Sequence, residues 1–79
     1  MPDNAFKPSR VVKRTVILSG RKSSVALENE FWDALEEIAE AKDTTRPRLI
    51  NEINKTRSNA NLSSAVRLFV LAYYQGLGR

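Results

Sequence analysis

The chain has 79 residues, no cysteine, no histidine and a formal charge of +4. A chain this short makes one domain and buries only about 60% of the surface its unfolded form exposes. Without cysteine it has neither a disulfide nor a thiolate zinc site to reinforce that core, and without histidine a metal would have carboxylates as its main side-chain ligands, so no metal or cofactor is expected.

Residues 1–10 contain Pro2 and Pro8 and no periodic apolar pattern, which predicts an arm outside the folded domain of residues 11–79. The arm lacks the apolar stretch of a secretion signal, and the longest apolar run, Leu68 to Tyr74, is too short to span a bilayer. The expectation is a cytoplasmic chain that makes no use of a membrane. Val11 to Leu18 is rich in β-branched residues and predicts an extra strand over 12–18, which Ser19 to Lys22 can turn back onto the next segment as a hairpin. The alternative is an extended arm that orders only on a partner.

Ser23 to Leu27 alternates with a period of two. Val25 and Leu27 fall on one face with Ser23, while Lys22, Ser24 and Ala26 fall on the other. That second face is small and polar and carries a cation, as a strand entering a DNA groove requires. Three helices are predicted next, over about 29–42, 46–57 and 62–75. The first has the apolar stripe Phe31, Leu35, Ile38 and Ala39, with Trp32 at its edge, and acidic residues in its first turn. Thr45, or else Thr44, caps the second helix, Pro47 is tolerated in its first turn, and Leu49, Ile50 and Ile53 form its narrow buried stripe. The polar run from Thr56 to Asn61 breaks it. Asn61 or Ser63 caps the third helix, which is apolar nearly all round and therefore needs cover on most sides. Sharing that surface with a second copy is the remaining way to stabilise so small a core, so a homodimer is expected.

Charge is distributed in blocks. Residues 1–22 carry six cations against Asp3, a net of +5; residues 23–45 carry seven carboxylates against Lys42, a net of −6; residues 46–79 carry six cations against Glu52, a net of +5. Two basic blocks flanking an acidic first helix suggest one surface for phosphates and another turned away from them.

The segments K-S-S-V-A-L-E-N-E-F-W-D-A-L-E-E-I-A from Lys22, T-T-R-P-R-L-I-N-E-I from Thr44 and N-L-S-S-A-V-R-L-F-V-L from Asn61 resemble the ribbon-helix-helix proteins of the MetJ/Arc type. They look closest to the small bacterial form with a basic V-K-R-x-V segment upstream, here Val12 to Val16, and an extra C-terminal helix. The resemblance covers residues 11–74. It implies a mainly α fold with a short β ribbon: an intertwined dimer in which two chains pair one strand each, over 23–27 here, and the paired strands enter the major groove.

On that resemblance Lys22, Ser24 and Ala26 would contact bases, with Lys22 donating to guanine, Ser24 bonding a base edge and Ala26 touching a thymine methyl. A phosphate would sit at the start of the second helix, on Thr45, Arg46 and Arg48, where Pro47 removes one amide donor. Lys13, Arg14 and Arg21 would add phosphate contacts. An upstream strand paired with the ribbon would widen the sheet and impede groove entry. The function implied is a dimeric transcription regulator on double-stranded DNA; the alternative is a dimeric protein-interaction module that holds a protein partner through the third helix or the acidic first one. No catalytic motif surrounds any Ser, Thr, Lys or carboxylate, so no enzyme is expected.

Overall fold

The computed structural model describes residues 10–56 and 61–77. Apart from Arg10, Thr56 and Asn61, the expected arm and the polar break before the third helix lie outside the described residues. Two strands, β1 (Val11–Leu18) and β2 (Arg21–Glu28), are followed by helices α1 (Asn29–Ala41), α2 (Arg46–Thr56) and α3 (Leu62–Leu77). The architecture is a two-stranded antiparallel ribbon on a helical layer, mainly α with a short β ribbon.

β1 and β2 pair with each other as a hairpin within the chain. Ser19 and Gly20 form the two-residue link, with φ of 52° and 83°. Two successive positive φ values give a turn whose twist matches that of the strands it joins. A linker this short fixes the register: Leu18 lies opposite Arg21, Val16 opposite Ser23, Arg14 opposite Val25 and Val12 opposite Leu27. Val16, Leu18, Val25 and Leu27 are buried on the face turned towards the helices.

Those four side chains meet Trp32, Leu35, Ile38 and Ala39 of α1, Leu49, Ile50 and Ile53 of α2, and Val66 and Val70 of α3 in one core. Trp32, rather than Phe31, belongs to the centre of that core, which corrects the stripe read from the sequence. The Trp32 indole Nε1 donates to the Val12 carbonyl at 2.9 Å, so the larger ring is both covered and satisfied beneath β1. Phe31 is half-buried, with the Arg67 guanidinium 5.8 Å from its ring.

Local signals fix the helix ends. Asp43 adopts φ 58°, and beyond it the Thr44 amide donates back to the Ala39 carbonyl at 2.8 Å while the Asp43 amide reaches Glu40 at 3.1 Å. This is the left-handed helix stop usually made by glycine. Thr45 Oγ1 accepts from the Arg48 amide at 3.3 Å at the start of α2, and Asn61 Oδ1 accepts from the Ser64 amide at 3.0 Å at the start of α3.

Side chains of two helices fasten the ribbon along its edges. Asn51 of α2 donates to the Ile17 carbonyl at 2.7 Å and accepts from the Ser19 amide at 3.0 Å. On the other edge Ser63 of α3 donates to the Ala26 carbonyl at 3.0 Å.

Candidate nucleic-acid interface

The face of the ribbon turned away from the helices is built by alternation. Lys22, Ser24, Ala26 and Glu28 of β2 lie there opposite Ile17, Thr15, Lys13 and Val11 of β1. Lys22 and Ser24 are exposed, while Ala26 is half-buried at the end where α3 approaches. All three expected base-contacting residues thus share one face. Lys13, expected among the phosphate contacts, stands on the same face, directly opposite Ala26.

The remaining cations lie elsewhere. Arg21 is exposed beside the turn. Arg14 belongs to the inner face by register, and because it stands at the exposed margin of the sheet its guanidinium reaches over the Trp32 ring, 5.3 Å from the centroid. Arg46, at the first position of α2, lies 5.9 Å from the same ring. It also donates from Nη1 to the Trp32 carbonyl at 3.3 Å and pairs through Nε with Glu36 at 3.3 Å. Both guanidiniums line an open cleft of about 390 Å³ whose walls include Thr15 and Pro47. Arg46 is therefore anchored, whereas Arg48 is exposed, two residues further along the helix. Thr45 directs its hydroxyl oxygen to the Arg48 amide.

Charge follows this division. Among the described residues Lys13, Lys22 and Arg48 have no acidic partner, while the carboxylates of Glu28 and Glu36 are engaged by Arg67 and Arg46. α1 packs Trp32, Leu35, Ile38 and Ala39 beneath the ribbon. Its exposed acids Glu30, Asp33, Glu36, Glu37 and Glu40 therefore lie away from the outer face of the ribbon. Glu37 accepts a hydrogen bond from the Tyr74 hydroxyl of α3, and that bond pushes the Tyr74 pKa up to about 12.

The outer face of β1 was not assigned from the sequence. Its signal is the alternation of Lys13, Thr15 and Ile17 against Val12, Val16 and Leu18, obscured by Arg14 at an inward position.

A family model for the ribbon-helix-helix domain matches residues 11–74. The chain belongs to the ribbon-helix-helix family. Ribbon-helix-helix domains are generally regulatory DNA-binding modules of transcription regulators rather than enzymes. Among solved structures the chain is similar to an uncharacterized protein from Bordetella pertussis Tohama I, with 33% identity and a TM-score of 0.75. That match covers 90% of this chain and 62% of the Bordetella chain, so the ribbon-helix-helix chain spans less than two thirds of the length of its structural neighbour. No curated protein matches the chain. No helix among the described residues is long and apolar enough to cross a membrane.

Proposed function

We propose that this chain is a dimeric DNA-binding protein, a cytoplasmic transcription regulator of the bacterial type that presents its β ribbon to the major groove of double-stranded DNA. The observation that carries the reading is the outer face of the ribbon: Lys22 and Ser24 project from it, Lys13 stands beside them, and the helices occupy the opposite side. The major groove admits a two-stranded ribbon, and lysine and hydroxyl groups can bond base edges there. Phosphates on either side fall to Arg48 and the capped start of α2, with Thr45 holding the turn, to Arg14 and Arg46 at the cleft, and to Arg21 beside the hairpin turn. The second copy covers α3, where Leu68 is 61% and Leu71 is 54% exposed.

A mobility-shift titration against random-sequence duplex at stepped ionic strength tests the reading. With roughly six to ten phosphates neutralised per dimer, affinity falls about 10³–10⁵-fold between about 50 and 200 mM salt. Failure to bind at the lowest salt would overturn the assignment and favour a protein-interaction module on the same scaffold.

A further inference from the structure

We propose that the cleft between β1 and the start of α2 binds a small carboxylic acid with a planar apolar body, and that Arg14 holds the carboxylate. The proposal goes beyond the DNA-binding reading and does not depend on it.

The cleft measures about 390 Å³. Small-molecule sites run to about 300–1,000 Å³ and combine apolar walls with a few placed polar groups. That balance is met here by Val16, Trp32, Pro47 and Ile50 against Arg14, Thr15 and Arg46. A bare oxyanion would leave most of the space empty, so the occupant has a body as well as a charge.

Charge sets the class of anion. Two guanidiniums face the cleft, and Glu36, paired with Arg46 Nε at 3.3 Å, offsets one of them. A single net positive charge suits a monocarboxylate better than a phosphate dianion, which would also be repelled by Glu36. Arg46 is further committed through Nη1 to the Trp32 carbonyl. Arg14 makes no ion pair among the described residues. Its guanidinium is oriented by the Trp32 ring, 5.3 Å away, and a ring face holds a guanidinium without consuming its N–H donors. Those donors form the fork that a carboxylate accepts in bidentate fashion.

Shape sets the body. Pro47 brings a ring to the cleft and, having no amide, removes one of the donors with which a helix start holds phosphate. Trp32 is only 2% exposed, so the stacking surface on offer is the guanidinium planes rather than the indole. Planar groups stack on such planes. At the rim, Asn51 takes the Ile17 carbonyl on the free edge of β1. The alternation of an antiparallel ladder turns the amide of Thr15 to the same edge, which adds a neutral donor beside the two cations.

The test is titration of the full chain, without DNA, with benzoate at fixed ionic strength and neutral pH, followed by the indole N–H resonance of Trp32, the one tryptophan in the sequence. Benzoate should shift that resonance saturably with a Kd on the order of 1 mM, as expected of so small a ligand. Benzamide, which lacks the charge, acetate, which lacks the ring, and inorganic phosphate should each bind at least about tenfold more weakly. Arg14→Gln should weaken benzoate by at least about tenfold. Arg14→Lys should fall between that variant and the wild type, because a point charge remains without the fork. Lys55→Gln, in the last turn of α2, should bind as the wild type does. Both Arg14 variants alter an exposed side chain, and the backbone amide spectrum of each reports an intact fold. Acetate or phosphate binding as tightly as benzoate would leave a bare anion site and overturn the proposal. So would benzamide matching benzoate, Arg14→Gln matching the wild type, or no shift with benzoate at all. A chain that shifts no duplex yet binds benzoate in this way keeps the site and loses only the DNA-binding reading.

Discussion

Arg67 of α3 grips Glu28 at the junction of β2 and α1, with Nε donating to Oε1 at 3.0 Å and Nη2 to Oε2 at 3.2 Å. This bidentate pair explains why Glu28, although it stands at the N-cap position of α1, makes no side-chain capping bond to that helix. Its carboxylate is committed to a helix that begins more than thirty residues later.

The same pair sets a pH dependence. The hydrogen bond from Arg67 holds the Glu28 pKa below the ordinary glutamate range, helped by a backbone hydrogen bond and by the charge of Arg67 and opposed by desolvation. A carboxyl whose folded pKa is depressed contributes stability that is present above its unfolded pKa, about 4.3 for glutamate, and lost as pH falls through the folded value. Glu28→Gln should therefore melt below the wild type at neutral pH, and the gap should close as the pH falls below about 4. Melting curves of both proteins across the acid range check this. A gap that persists unchanged in acid would mean that charge at Glu28 is not what holds α3 to the ribbon.

Asn51 is expected to secure the hairpin turn. Its carboxamide serves the Ile17 carbonyl, the Ser19 amide and the Pro47 carbonyl, the last at 2.8 Å. Ser19 is a non-glycine residue at positive φ, so the turn has a local strain that this contact offsets. Asn51→Ala should cost about 1–3 kcal/mol, at roughly 0.5–1.5 for each of the two bonds to the hairpin. Hydrogen exchange at the Ser19 to Arg21 amides should accelerate more than at the centre of α1. Equal acceleration at both places would show that Asn51 supports the fold globally rather than the turn.

What the sequence made legible follows from how local each signal is. The period of two in Val25 and Leu27 placed Lys22 and Ser24 on the outer face, because a strand has only two faces and apolar side chains choose one. Asn61 and Thr45 were recognisable as caps because a capping bond spans only a few residues. The exchange of Phe31 for Trp32 at the centre of the core was not legible, since the choice depends on the Val12 carbonyl twenty residues away. The gathering of Arg14 and Arg46 on one indole, and the Asn51 clamp, likewise need tertiary proximity that no spacing encodes. On β1, Arg14 at an inward position masked an alternation that the other residues follow.

Asp43 offers a stabilising substitution. It holds φ 58° at the end of α1, where its negative charge also faces the carbonyl end of the helix. Asp43→Gly relieves both, against the extra conformational entropy that glycine loses on folding, for a net gain of about 0.5–1 kcal/mol. A higher urea midpoint at unchanged slope would register the gain. Asp43→Ala removes the charge but keeps a Cβ in the left-handed region, so it should fall below Asp43→Gly. Were the two variants equally stable, charge alone would account for the effect and backbone conformation would not.

The proposed dimer makes a separate demand on α3. Val66 and Val70 face the core of their own chain, while Leu68, Leu71 and Ala72 are exposed on the same helix. Arg67, the one charged residue among those described in α3, is already paired with Glu28, so two such helices can approach without like-charge repulsion. Binding of a second copy to the folded state raises the apparent stability by mass action, so the melting temperature should climb with protein concentration. Leu68→Asp places a carboxylate on the exposed face without touching Val66 or Val70. It should give a monomer in analytical ultracentrifugation whose melting temperature no longer depends on concentration. If the wild type is itself monomeric with a concentration-independent transition, the dimer is wrong. If Leu68→Asp remains dimeric, the copies meet through another surface, and the apolar face of α3 is left for a protein partner.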